Sequence, residues 1–362
     1  LKNSWIGLSF ACFMMIFAVG ACKKKAAKSK TSQARKLMSK EAKKGQQTLQ
    51  IWSHRHYPVD KKLFQEFAKK SGIRVVVVQN KADELLKRME LQGKNCTADV
   101  LITVDAGRLY RAKQKGLLQA VQSKTLEKRI PKQLRDPKGF WFGLTKRARV
   151  IVYAKDRVKP SELSTYEALT ESKWKKKILI RSSNNIYNQS LLASIIAASG
   201  KEKAKAWAKS MVANFARSPK GNDRDQMKAV AAKRGDLAIV NTYYIGKMLF
   251  SKNAASQKVA RSLGVFFPNQ KGRGTHINVS GAGVAKHARN KAAAIKFIEF
   301  LASKEAQGQF AKANYEYPVH PEVEPSKLLK SWGKFKSHDL QLDLLGKNNA
   351  EAVKTFDAVG WR

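Results

Sequence analysis

Short β-branched runs alternate with segments of helical period through the first part of this chain, and that alternation limits the fold more than any other feature. Thr48-Leu49-Gln50-Ile51-Trp52 reads as a strand. Pro58 then breaks regularity, Asp60 can cap, and Leu63, Phe64 and Phe67 repeat at helical spacing across 61–70 until Gly72. Ile73 to Val78 is apolar except for Arg74, which predicts a strand buried on both faces beyond its first residues. A helix over 82–92 closed by Gly93, a strand over 100–103 and a helix over 106–115 continue the series. Strand, helix, strand, helix at these spacings predicts a parallel, doubly wound α/β sheet.

The pattern changes at 139–153. Phe140-Trp141-Phe142 and Val150-Ile151-Val152-Tyr153 read as a pair of strands with no helix between them, where the chain first crosses into a second lobe. A second α/β set follows: a strand over 178–180, helices over 189–199, 203–215 and 223–233, and a strand over 237–240. Strands over 264–268 and 276–279 and a helix over 291–301 come next. More than one crossing between lobes makes a hinge, and 362 residues suffice for two domains.

Charge is the unusual quantity: 71 Lys+Arg against 27 Asp+Glu gives +44. Such a balance first suggests nucleic acid. The N-terminus argues otherwise. Lys2 precedes a largely apolar run over 6–19, long enough for a signal-peptide core and short for a membrane span. It ends in Val19-Gly20-Ala21-Cys22, which resembles the lipobox of bacterial lipoproteins, so Cys22 is the expected lipidation site. The expected signal peptide is 1–21, followed by a basic flexible tether over 22–46. With Lys2 and the tether set aside the body still carries +34. One lipid and a basic segment are the two signals that stable anchoring requires. Cys96 is the cysteine left in the mature body, so no disulfide framework is expected. The lysines are spread over nearly every helix, without the aromatic interleaving of a nucleic-acid platform, so no nucleic-acid partner is expected.

Familiar enzyme signatures are missing: no phosphate-cradling loop, no paired-histidine helix and no CxxC. Ser280-Gly281-Ala282-Gly283 is too short for a dinucleotide fingerprint and reads as a place of close backbone packing. What remains is tyrosine at strand-to-helix junctions. Tyr57 follows the first strand, with His56 before it. Tyr187 follows the strand at 178–180. Tyr243 and Tyr244 follow Leu237-Ala238-Ile239-Val240, with Asn241-Thr242 as side-chain oxygens suited to a cap. Open α/β sheets bind ligands in that crevice. Phenolate is a hard donor that a strong positive charge would keep ionised at neutral pH, and ferric iron supplies that charge. Magnesium or calcium would call for carboxylates, which these junctions lack. Tyr153, Tyr315 and Tyr317 read as core or hinge packing. Arg55 reads as a surface arginine, with a supporting role behind a ligand as the alternative.

His54-Arg55-His56-Tyr57, the segment 98–109 (ADVLITVDAGRL), Asn241-Thr242-Tyr243-Tyr244, the segment 276–287 and Asn314-Tyr315-Glu316-Tyr317-Pro318-Val319 resemble the ferric-iron-binding proteins of bacterial ABC importers. The resemblance runs from about Thr48 to the C-terminus. It implies a two-lobed periplasmic-binding-protein fold, each lobe a sheet flanked by helices, with the ligand cleft at the hinge. The lobes are expected at 47–143 with 270–318 and at 144–269 with 319–362. It further implies ferric iron held by Tyr57, Tyr187, Tyr243 and Tyr244. His56 is a fifth ligand on weaker footing, because histidine varies in that family and a solvent-facing histidine is the other reading. A non-enzymatic monomer is expected, extracytoplasmic and lipid-anchored, handing iron or a ferric chelate to an ABC permease. The same fold binding an anionic small solute in a basic cleft is the alternative, and a surface adhesin using its charge on polyanions is a third class.

Overall fold

The computed structural model describes residues 47–362; the expected signal peptide 1–21, the lipidation site Cys22 and the tether 22–46 lie outside the described residues. β1 (Thr48–Ser53), α1 (Pro58–Ser71), β2 (Arg74–Gln79), α2 (Ala82–Gln92), β3 (Val100–Val104) and α3 (Ala106–Gln114) follow the expected alternation. β1 pairs in parallel with β2 and with β3. α1 begins earlier than expected. Pro58 occupies its first turn, where a missing N–H costs nothing. Asp60 caps from inside the helix, accepting the Tyr57 N–H at 3.1 Å.

β2 departs from the sequence reading. It lies at the end of the sheet, so its valines have a strand on one side only, and Val77 is 38% exposed. Continuous β-branching records strand propensity and does not reveal an edge.

After α4 (Lys124–Arg129), the two strands expected around 139–153 prove to be one, β4 (Phe142–Ala154). Lys146, Arg147 and Arg149 break the apolar pattern that would have signalled continuity. Arg147 and Arg149 are nonetheless buried, within ion-pair distance of Asp105 and Asp223 at 3.8 and 2.9 Å, so the strand runs through them. Then come β5 (Ile178–Leu179), α5 (Ile186–Ser199), α6 (Lys201–Ala213), α7 (Asp223–Ala231), β6 (Leu237–Asn241), α8 (Thr242–Leu249), α9 (Ala254–Arg261) and β7 (Leu263–Phe266). The chain ends in β8 (Ile277–Val284), α10 (Lys291–Leu301), α11 (Lys304–Asn314), α12 (Lys327–Ser331), α13 (Asp343–Lys347) and α14 (Asn349–Val359).

The strands form one mixed sheet in the order β2-β1-β3-β8-β4-β6-β5, with β7 also on β4. β4 is shared between two halves. Its residues up to Ala148 pair with β8, and those from Arg149 onward pair with β6 and β7. The small residues of 280–283 lie within β8. A Cβ on Gly281 or Gly283 would come within 2.6 Å of the Phe142 or Phe140 carbonyl oxygen, which is the close packing expected there. One large apolar core runs beneath β1, β3, β8 and β4. A second, rich in aromatics, joins Tyr166, Trp174, Trp207, Phe356 and Trp361 around β5 and α5. α13 bridges the halves: Asp343 pairs with Lys113 of α3 at 3.1 Å, and Asn348, its C-cap, donates to the Ala193 carbonyl of α5 at 3.3 Å. Among the described residues no helix is long and apolar enough to cross a membrane.

Candidate metal centre

Three helices open at the carboxyl ends of β1, β5 and β6, and each brings phenol to the same place. In α8 the first turn sets Tyr243 beside Tyr244, ring centroids 4.2 Å apart. Asn241 holds the N-cap position but its side chain does not cap; its Oδ1 instead accepts from Arg149 at 3.2 Å. A buried guanidinium nearby outcompetes the helix N–H groups for that oxygen. In α5 the N-cap Asn185 accepts the Tyr187 N–H at 3.2 Å, which fixes Tyr187 in the first turn. The Tyr187 and Tyr243 hydroxyls lie 3.2 Å apart. Tyr57, at the N-cap of α1, and Tyr244 stand close enough to Tyr187 and Tyr243 for charge on one phenol to act on the others. All four expected phenols therefore converge, with buried Tyr243 in the middle.

His56 does not share that burial. It is exposed, its ring 5.5 Å from that of Tyr57, with Nδ1 3.3 Å from the His54 carbonyl. Tyr153 lies against Gly264, Tyr315 stacks on Phe250 at 5.2 Å, and Tyr317 packs on Phe335 with its hydroxyl buried and unpartnered.

Arg55 is not a surface arginine. It is 2% exposed and donates to Asp60 at 3.0 Å and to Glu316 at 3.1 Å, with Thr145 at 3.1 Å as a further acceptor. Its guanidinium is 5.0 Å from the Tyr57 ring centroid. Asp60 and Glu316 repay its desolvation; Asp60 is five residues along the chain, but Glu316 is 261 residues away and is not legible as a partner from local sequence.

Burial pushes the phenols of Tyr57, Tyr243 and Tyr244 above their ordinary range; Glu316 adds to the effect at Tyr57, and neighbouring phenols add to it at the other two. They are neutral at pH 7 unless a strong positive charge enters among them. The surroundings are cationic but too diffuse to ionise them. Arg147, Arg149 and Arg181 lie 5.5, 5.8 and 5.6 Å from the Tyr187 ring centroid, and Arg224 lies 4.9 Å from that of Tyr244. Lys247 sits 3.5 Å over the Tyr57 ring, its ammonium brought down to about 8 chiefly by burial. Sequence reading passed over Lys247, although its place one turn after Tyr243 on α8 was the available signal. Asp223, fully buried, accepts from Arg149 at 2.9 Å, Arg181 at 2.7 Å and the Asn241 N–H at 3.0 Å, tying β4 to the start of α8.

Asp105, between β3 and α3, was also passed over. Its φ of +83° is a left-handed conformation costing on the order of 1–3 kcal/mol for a non-glycine residue. Its carboxylate accepts from the Gly107 N–H at 2.9 Å, Asn278 at 2.8 Å and the Ser190 hydroxyl at 2.8 Å.

Among the described residues no three His, Cys, Asp or Glu side chains are grouped to hold a metal ion. A cation received at this place would meet phenol oxygens, the donor of hard, highly charged ions.

Comparison with known proteins shows the family. Residues 95–339 match the family described as bacterial extracellular solute-binding protein. Iron uptake protein A1 of Synechocystis is 52% identical over 317 residues, 88% of each chain. The major ferric iron-binding protein of Neisseria meningitidis is 27% identical over 75% of this chain and 81% of its own. Among solved structures, a Trichodesmium FutA (IdiA) in complex with iron and citrate ligands superposes with a TM-score of 0.85 at 51% identity, covering 87% of this chain and all of that one. The ferric binding protein of Campylobacter jejuni gives 0.83 at 46%, with 87% of this chain and all of that one covered. The chain belongs to the bacterial extracellular solute-binding protein family.

Proposed function

We propose that this protein binds ferric iron outside the cytoplasm through the phenolates of Tyr57, Tyr187, Tyr243 and Tyr244 and delivers it to an ABC-type permease. The observation that carries this reading is the convergence of four phenols from three separate helix starts, with the Tyr187 and Tyr243 hydroxyls 3.2 Å apart. The names of relatives that span most of the chain support iron as the cargo. Tyr57 would come from a lobe of 47–143 with 270–318, and the other three from a lobe of 144–269 with 319–362, so that loading draws the two together. Each phenol gives up its proton as iron enters. Three positive charges against four phenolates leave one negative charge, which the surrounding guanidinium groups and Lys247 stabilise. Nothing in this scheme turns over a substrate; the chain acts as a carrier.

Addition of ferric citrate to the purified protein tests the reading. Tyrosinate-to-iron charge transfer gives a visible band, and a colourless protein that binds citrate alone would favour the anionic-solute alternative. That alternative draws on Arg147, whose Nη1 and Nη2 are buried with no hydrogen-bond partner.

Membrane attachment through a lipid on Cys22 belongs to the same proposal. Cys22→Ser should move the protein to the soluble fraction. Unchanged partitioning in high salt, which screens the basic tether, would count against the anchor.

A further inference from the structure

Ser190 lies three residues after Tyr187 on α5, one turn along the same face. Its hydroxyl meets both carboxylate oxygens of Asp105, at 2.8 and 2.9 Å. Asp105 belongs to the half of the sheet that carries Tyr57, because β3 and β1 are parallel neighbours. Tyr187 belongs to the half built on β5 and β6. The Asp105–Ser190 contact therefore joins the two sides that iron must bring together, without being part of the phenol cluster. Arg147 lies between them, 3.8 Å from Asp105 and 5.5 Å from the Tyr187 ring centroid.

We propose that Asp105 is a positioning residue that latches the loaded site: its carboxylate, carried on a left-handed backbone, captures Ser190, sets the rotation of α5 and so holds the Tyr187 oxygen on the metal. The inference rests on the tyrosinate reading above. A helix cap alone would not require this arrangement. Capping α3 occupies one oxygen through the Gly107 N–H, while a left-handed backbone and complete burial aim the group also at Asn278 of β8 and at Ser190 of another helix. Strain of this kind persists where the surroundings over-determine it and concentrates at functional sites.

A hydrogen bond to a charged acceptor is worth enough for its loss to change a rate about tenfold. In the full chain, Ser190→Ala removes that bond and leaves the cap, the phenols and Arg147 in place. The ferric band should reach full intensity at saturation, while iron release to excess chelator runs about tenfold faster; the lost bond is buried, so the melting midpoint falls with it, and release measured beside an intact band is the readout of the latch. Asp105→Asn keeps an acceptor for Ser190 but removes its charge, so it should accelerate release by less than Ser190→Ala, and the double variant should release no faster than Ser190→Ala alone. Unchanged release in Ser190→Ala beside a normal band would overturn the latch and spare the tyrosinate site. So would additive effects in the double variant. Absence of the band from the unmodified protein would overturn both.

Discussion

Tyr187 and Tyr243 meet hydroxyl to hydroxyl at 3.2 Å, although they begin two helices and lie 56 residues apart in sequence. Two neutral phenols can share one hydrogen bond at that distance. Two phenolates would repel unless a cation lay between them, so the pair is a site only in the presence of one.

Removing single oxygens tests the cluster directly. Tyr243→Phe and Tyr244→Phe keep the rings and their 4.2 Å packing. Each should weaken iron binding at least tenfold and shift or bleach the visible band, with little change in melting temperature. Tyr317→Phe is the control. It deletes a buried hydroxyl with no partner, so it should leave the band alone and raise stability by up to about 1 kcal/mol. An intact band and affinity in either Tyr243→Phe or Tyr244→Phe would remove that residue from the ligand set.

Proton linkage gives a second test. The phenols of Tyr57, Tyr243 and Tyr244 are held above their usual range, so they are protonated in the iron-free protein throughout the neutral region. Iron must displace those protons. Apparent affinity therefore falls as pH falls, by about tenfold per unit for each phenol ionised, and loading releases acid into a weakly buffered solution. A pH-independent affinity at fixed free iron would contradict phenolate ligation.

Arg55 can be tested by stability. Arg55→Ala would strand Asp60 and Glu316, both 2% exposed, and should cost about 3–5 kcal/mol in denaturant unfolding. A loss below 1 kcal/mol would mean that the two carboxylates find other partners.

His276 predicts acid sensitivity of the fold. Burial first, then His338, Arg149, Arg147 and Arg273, hold its imidazole well below the usual range. The unfolded chain takes up a proton there near pH 6.5, whereas the folded one does not. The contribution is therefore complete above that pH and is lost as pH falls, by about 1 kcal/mol per unit. His276→Gln should flatten the decline between pH 6.5 and 5, though not abolish it, because His54 and His338 are depressed as well. An unaltered slope would show that His276 opens to solvent before the molecule unfolds.

Strand–helix order and the junction tyrosines were legible because both are local: period, cap and turn lie within a few residues of each other. β4 was not, because the partners that let Arg147 and Arg149 continue a strand, Asp105 and Asp223, are distant in sequence. Arg55 was misread for the same reason, since Glu316 lies 261 residues away. The backbone of Asp105 had no signal at all. A positive φ is expected of glycine, and an aspartate held there shows only in three dimensions.

The open flank of β2 bears on how copies of this protein treat one another. Among the described residues β2 pairs only with β1, leaving a row of amides and carbonyls beside Val77 as a template for a second chain. Natural sheets often blunt such flanks with a lysine or a bulge. Here Arg74 stands at one end of the strand and the molecule as a whole carries +44. Long-range repulsion then keeps the flanks apart, a colloidal guard in place of a local one. A guard of that kind is only as strong as the medium is dilute in ions: concentrated salt or a polyanion would disarm it, and self-association through β2 would follow.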